Sequence, residues 1–494
     1  MIVLKRMTVL SAILCSMLAF TVYYFNGALL PLGAVLILIL LVLSIKTHNS
    51  CIITVMFFVG VTVLSLSTVC KNVKTVDEFS GGMMTLRFTA TENCEHFDDY
   101  STVNVITNGN SVIGNGSKFE IFYQDKNLDI SAGDIFDADV MLKSLDGSKY
   151  KTWRFSDGIY SDCSLERFIG TKGRNNFFYS LSKIRNYITK TLFLKLPYFE
   201  AATLNAITTG NKTYLSDEFY GAVKTTGVSH VMVVSGLHLS IIMSGFYTVL
   251  DRFFYNKYLR FAVSIITVFV IIAVCGFTTS VIRAGIMYII ASFAPLFERD
   301  SDTLSNLCTA VTLIIISSPF VVFNVAFQLS VLCTFGVIYI APFFIGEIKK
   351  YIPKSFILNV ITEITVVTLS ATFMSMPILI YNFGSVSLIS PITNIFISYA
   401  VTGALLFIVC ALFLNLLPVI RFISEPFFIT AGLFAKYINN VILKLAKLPF
   451  ASVGISNEAL VDILTVLSVM LIIAVLLIMY ACKMRRHLLK LNQI

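Results

Sequence analysis

The chain has 494 residues, of which 56% are hydrophobic and only 13% charged, with a mean hydropathy of +0.83. An ordinary soluble domain carries about a quarter charged residues, so a soluble enzyme or a free-standing nucleic-acid clamp is excluded and a polytopic membrane protein is indicated. The net charge of +9 is uneven: residues 71–176 hold 12 basic and 16 acidic side chains, so the basic excess lies in the apolar remainder. Part of that excess is topology, because cytoplasmic loops collect Lys and Arg. The rest speaks for a polyanionic partner.

Three apolar runs open the chain, at about 7–25, 28–45 and 52–69. Each is near the ~20 residues needed to cross a bilayer. The first follows Lys5 and Arg6 and has no small-x-small cleavage site after it, so it reads as a retained helix and not a removed targeting segment. Lys5, Arg6, Lys46 and His48 mark the inner side, which places residues 71–176 outside the cytoplasmic membrane.

That insert changes texture. Residues 84–90, 102–107, 118–123 and 133–142 alternate apolar and polar, with Gly, Asn and Asp between the runs. Period-two patterning of this kind predicts a small β domain. Four or five strands in about 100 residues suit a Greek-key barrel of the OB type, with another small sandwich or barrel as the alternative. Phe119, Phe122, Tyr123, Trp153, Phe155 and Tyr160 are core residues or base-stacking platforms. Lys143, Lys149, Lys151 and Arg154 form a basic strip, either a solvated face or contacts to a nucleic-acid backbone; the acidic balance argues against a tight clamp. Cys94 and Cys163 lie in this outside domain, where an oxidising compartment allows a disulfide between an early strand and the domain's exit. No CxxC occurs, so no metal site is expected.

Residues 177–196 carry Lys183, Arg185, Lys190 and Lys195 among apolar residues and predict an amphipathic helix at the membrane surface. A short helix then stops at Gly210, and Ser216 caps a second one over 217–226. The stretch 227–239, GVSHVMVVSGLHL, opens an apolar segment running to about 250. Two of the chain's five histidines fall here, His230 and His238, beside Ser235 and Gly236. Read as one helix at about 100° per residue, His230, Ser235, His238 and Gly245 fill one broad polar face.

Further spans are expected at about 259–275, 279–296, 304–318, 325–345, 361–381 and 388–412. Residues 423–448, with Lys436, Lys444 and Lys447, read as a surface or bundle-edge helix, and a last span at 459–482 leads into Lys483, Arg485, Arg486 and His487. Arg283 lies within an apolar run, where a guanidinium needs a partner or water. Gln328 is placed to bond across helices. Pro377, Gly384 and Pro391 are expected to break helices. The organisation expected is three spans over 1–70, an OB-like domain over 71–176, an amphipathic helix over 177–200 and a transmembrane channel domain over 201–494.

The stretch 227–239 resembles the signature of the ComEC competence channel family, roughly G-(L/V)-S-H, four apolar residues, then S-G-L-H. The resemblance extends upstream through Ala206, Gly210, Asn211, Lys212, Leu215, Ser216, Phe219, Val223 and Lys224, with Asn211 where the family usually has Asp. Residues 280–287, 327–330, 376–387 and 391–394 resemble further family signatures, one with an intramembrane Arg. The late strand opening at Gly133 and Asp134 resembles the family's extracytoplasmic OB-like domain. The resemblance implies a polytopic α-helical membrane protein of about 10–11 spans with an extracytoplasmic OB-like barrel. It implies a channel of the cytoplasmic membrane that imports single-stranded DNA during natural transformation, and the positive-inside rule makes both termini cytoplasmic.

It further implies a DNA path or gate at His230, Ser235, Gly236, His238, Lys224, Arg283 and Gln328. Membrane lipid, a DNA receptor outside, a separate nuclease and a cytoplasmic ATP-driven translocase are the implied partners, and no cofactor is implied. Longer relatives carry a metallo-β-lactamase-like nuclease domain needing an H-x-H-x-D-H cluster. Histidines 48, 96, 230, 238 and 487 do not make one, so that domain is expected to be absent and the chain to be a transport channel and not an enzyme. A transporter of another anionic polymer or amphiphile is the alternative. A membrane hydrolase built on Ser235 and His238 is a weaker one, since no G-x-S-x-G elbow occurs and no carboxylate lies nearby in sequence to orient the imidazole; no Walker A motif occurs either, so an ATP motor is expected to be a partner.

Overall fold

A computed structural model describes residues 2–24, 33, 35–37, 39–40, 51–96, 100–108, 116–124, 128–146, 148, 150–232, 234–253, 255–293, 296, 301–353, 355–455 and 457–491. The expected second span, 28–45, lies mostly outside these. The chain divides into two compact units, Met1–Tyr187 with Asp300–Phe327, and Ile188–Arg299 with Gln328–Ile494. Among the described residues, seven helices are long and apolar enough to cross a membrane, and three shorter apolar helices accompany them.

In the first unit, α1 (Ile2–Tyr24) and α2 (Cys51–Glu78) pack together and against the helix Thr303–Ser317. The alternating insert forms strands β1 (Met83–Ala90), β2 (Glu95–His96), β3 (Ser101–Thr107), β4 (Lys118–Tyr123), β5 (Asp134–Ser144) and β6 (Ser161–Arg174). Five of them close into a barrel in the order β1-β5-β6-β4-β3 and back to β1, with β4 and β6 parallel and the other pairs antiparallel. This is the OB-like Greek key that the alternation predicted. Every second residue points inward: Leu86, Phe88 and Ala90, then Val103 and Val105, Phe119, Ile121 and Tyr123, and Phe136, Ala138, Val140 and Leu142.

Two attachments hold the barrel to the helices of its own unit. The helix α2 runs past the expected exit near Cys70 and ends inside the barrel's base. Val76 joins the barrel core, Ser144 Oγ donates to Asp77 at 2.8 Å, and the Gly81 N–H donates to the Leu142 carbonyl at 2.8 Å. The second attachment is the short helix α3 (Lys151–Ser156) between β5 and β6. Its Phe155 is buried, with ring centroids 6.0 Å from Tyr23 of α1 and 5.8 Å from Phe320. Asn324 adds a 2.8 Å hydrogen bond to Asp157.

The expected Cys94–Cys163 disulfide is not formed; both thiols are free. Cys163 is fully buried in the barrel wall opposite Ile121, and Cys94 Sγ lies 3.2 Å from Asp129. Burial raises both thiols above the usual range.

The helix α4 (Asn176–Lys195) leads toward the second unit, which continues with α5 (Tyr198–Thr209), α6 (Asp217–Thr225), α7 (Gly236–Phe253), α8 (Lys257–Val274), α9 (Thr279–Phe293) and α10 (Val325–Phe335). After a π-helical turn at Gly336–Ile340 come α11 (Phe356–Phe383), β7 (Ser385–Ser387), α12 (Ser390–Asn415), α13 (Ser424–Ala446), β8 (Ser452–Gly454) and α14 (Glu458–Leu491). The core of this unit is the pair α12 and α13 with α5 and α6 against them. On α13, Phe428, Ala431, Ala435, Ile438 and Ile442 are buried at helical spacing, while Lys436 and Lys444 face outward. The helix expected at a surface or bundle edge therefore supplies a full core face.

Pro377 does not break its helix as expected. It is buried within the 28 residues of α11, which continues to Phe383 and ends at Gly384 in the left-handed region, φ +57. A proline in a membrane helix forfeits one backbone bond, and packed neighbours keep the helix going. Gly384 and Pro391 do sit at helix ends, one as the C-cap of α11 and one in the first turn of α12. Between them β7 pairs with β8 in a two-stranded ribbon.

Candidate functional site

The signature stretch 227–239 is not one helix. The helix α6 ends at Gly227, φ +71, where the Val228 N–H reaches back to the Val223 carbonyl at 3.1 Å and the Gly227 N–H to Lys224 at 3.0 Å. That is a Schellman stop, which favours glycine. Two tight turns follow, with Val231 N–H to Val228 O at 2.9 Å and Met232 N–H to Ser229 O at 3.2 Å, and α7 starts only at Gly236. The expected single polar face is therefore corrected. His230 sits in the turn, and His238 sits in the first turn of α7. The signal was present in Gly227 and in the Ser235–Gly236 pair, a stop and a start on either side of β-branched residues.

Gly227 is wedged against the start of the next segment. A side chain there would place its Cβ 2.7 Å from the Cβ atoms of both Ser387 and Ser390. This seats the turn on β7 and the head of α12, and brings His230 to the Asn394 side chain and the Gly227 backbone. His230 is exposed on the turn. His238 is buried, 1% exposed, and close enough to His230 for their charges to interact. Its Nδ1 accepts from the Ser235 backbone N–H at 3.4 Å. The contact uses the Ser235 main chain and not the hydroxyl, so the two residues do not make a nucleophile–base pair.

Behind this turn lies Arg283 on α9, only 6% exposed. Its Nε donates to Ser330 Oγ at 3.0 Å and its Nη1 to Thr334 Oγ1 at 2.6 Å, both on α10, with Met287 Sδ at 3.6 Å from Nη1. Gly236 meets the same guanidinium: a Cβ there would lie 3.6 Å from Nη2 and 3.3 Å from Ala284 Cβ. Among the described residues no carboxylate stands within ion-pair distance of Arg283. The cluster thus joins His230, Ser235, Gly236, His238 and Arg283, as the sequence reading grouped them. It adds Ser330, Thr334 and Asn394, which that reading quoted only within signatures or passed over. Ser330 and Thr334 are four apart on one helix face, the one signal that was there to find.

Two expected members stand elsewhere. Lys224 is exposed near the end of α6, its ammonium 4.4 Å over the Tyr220 ring. Gln328 is half-buried on α10, two residues before Ser330 and therefore on a different face of that helix. In the barrel, Lys143 is exposed, and Lys149 lies outside the described residues. Lys151 pairs with Asp146 at 2.5 Å. Arg154 pairs with Glu120 and, at 3.6 Å, with Asp162. Arg154 thus ties α3 to β4 and the start of β6.

The chemistry available is that of a buried cation with neutral hydroxyl neighbours, two imidazoles and a helix start, enclosed by apolar helices. It can hold an anion.

The family model for the Competence protein matches residues 207–480. ComE operon protein 3 of Bacillus subtilis (strain 168) is 24% identical over 337 residues, covering 66% of this chain and 41% of that protein. The chain therefore aligns with about two-fifths of the length of that curated relative. No solved structure matches. The family model lies over more than half of the chain and over every residue of the cluster at the head of α7, and the chain belongs to the competence protein family.

Proposed function

We propose that this multi-pass membrane protein acts in DNA uptake during competence, as the passage through which a single strand crosses the cytoplasmic membrane. The observation that carries the reading is the buried Arg283, with no carboxylate at ion-pair distance among the described residues, beside the His230–His238 turn and inside the family-matched helices. A polyanion moving through apolar surroundings needs fixed positive groups that are not already neutralised, and contacts of that kind are independent of base sequence and sensitive to salt. In this proposal the barrel faces outward, and the exposed Lys143 is its candidate strand contact. Both termini are cytoplasmic. An outside receptor delivers DNA, a separate nuclease degrades the complementary strand, and a cytoplasmic ATP-driven translocase pulls.

The test is uptake of labelled DNA by cells lacking this chain, with surface-bound label separated from nuclease-protected label. Normal binding with no protected strand is the expected result. Unimpaired protected uptake would overturn the proposal in favour of transport of a different anionic polymer.

A further inference from the structure

We infer that Arg283 and the backbone at the head of α7 form a subsite for one phosphodiester group. The assignment of that group to a DNA strand rests on the function proposed above; the chemistry of the subsite does not.

Three observations converge. The guanidinium is buried, and the partners of its Nε and Nη1 are two hydroxyls and a thioether. Burying a charge without a counter-charge is expensive, so the position holds a positive potential that an anion relieves. The hydroxyls orient the fork and do not neutralise it. Thr334 spends its own proton on the Ser330 carbonyl at 2.7 Å, which leaves an oxygen lone pair to face Nη1.

Next, Nη2 has no acceptor among the described residues and points toward Gly236, 3.6 Å from where a side chain there would begin. Gly236 opens an 18-residue helix. The first N–H groups of a helix have no intrahelical acceptor, and together they carry roughly half a positive charge. The Ser235 N–H just before them is occupied by His238 Nδ1; the following ones belong to the same end as Nη2. A guanidinium edge close to a helix N-terminus, with a glycine between them, matches a tetrahedral monoanion. One of its oxygens takes Nη2 and the other takes backbone N–H.

A phosphodiester occurs both in a nucleic-acid strand and in a phospholipid headgroup, and the test separates them. The full chain is purified in dodecyl maltoside, and binding of fluorescent dT12 is measured against the same oligomer with neutral methylphosphonate linkages. Retention of phosphatidylglycerol is followed by native mass spectrometry. Arg283→Gln should weaken dT12 binding by about tenfold to a hundredfold, the range for losing hydrogen bonds to a charged group. It should also abolish the preference for charged linkages, and Arg283→Lys should recover part of both.

Loss of phosphatidylglycerol with unchanged dT12 binding would keep the phosphodiester subsite, assign it to lipid, and sink the strand reading. A folded Arg283→Gln protein that binds both probes as the unsubstituted chain does would overturn the subsite itself. Should that variant not fold, Gly236→Ala decides. It keeps the charge and puts a methyl group where the anion would approach, so a folded Gly236→Ala protein with unchanged binding of both probes overturns the inference.

Discussion

Replacing Gly227 by Ala tests whether the signature turn is seated on β7 and α12. The residue has φ +71, and an L-residue in that region costs about 1–2 kcal/mol. Its new methyl carbon would stand 2.7 Å from Ser387 Cβ and from Ser390 Cβ, and 2.9 Å from Ser387 Oγ. Overpacking of that kind costs about 1–3 kcal/mol. The two together come to about 2–5 kcal/mol, which for a unit of this size lowers the melting temperature by roughly 4–10 °C at about 2 °C per kcal/mol.

Circular-dichroism melts of the purified chain in detergent read the shift. The steric part is separable by repeating the substitution in a Ser387→Gly, Ser390→Gly background. There only the backbone part should remain, so the penalty of Gly227→Ala should fall by about 1–3 kcal/mol, the coupling of a double-mutant cycle. An equal penalty in both backgrounds would refute the packing of the turn on those serines. An unchanged melting temperature would refute the left-handed conformation as well.

Arg87 and Asp137 face each other across β1 and β5, joined by hydrogen bonds of 2.7 and 3.1 Å. The hydrogen bond from Arg87 holds the Asp137 carboxyl below its usual range. A depressed folded-state pKa contributes stability that is present above the unfolded value and is lost as pH falls through the folded one. Arg87→Gln should therefore melt slightly lower than the unsubstituted chain at pH 7, and the two should converge in acid below the ordinary Asp range. A gap that persists there would exclude the ion pair as its cause. Because Cys94 and Cys163 are free, dithiothreitol should leave the barrel's melting unchanged, and Cys163→Ser should destabilise by about 1–3 kcal/mol through a buried hydroxyl without an assured partner. A reductant-sensitive melt would restore the bridge.

The barrel was legible because its strands bury one face, and alternation is the direct imprint of that geometry. The strand β6 escaped, since its inward alternation fades after Leu165 and its end is exposed. In the strip read as a solvated face or a nucleic-acid contact, Lys151 and Arg154 lie on α3 in ion pairs with Asp146 and with Glu120 and Asp162. A basic residue paired with Glu120 and Asp162 in space looks the same in sequence as one that faces solvent.

In the second unit, His230 and His238 stood out because polar groups are rare in apolar segments, yet their relative placement depended on a helix stop that hydropathy does not register. The partners of Arg283 were hidden for a different reason. Ser330 and Thr334 are 47 and 51 residues away, and hydroxyl residues in membrane helices usually bond their own backbone. Only the fold brings a distant pair of them to one guanidinium.

The fusion of α2 into the barrel base has a mechanical consequence. Twenty-eight helical residues extend about 42 Å, some 12 Å more than a ~30 Å hydrocarbon layer. Only four residues separate the helix end at Glu78 from the first strand at Met83. A barrel hung on ten residues of flexible coil would wander over roughly 18 Å; this one is confined to the bending of a helix. A load placed on the barrel finds little slack to take up and passes directly into α2 along its axis, so the barrel end of that helix works as a stiff stalk and not as a leash.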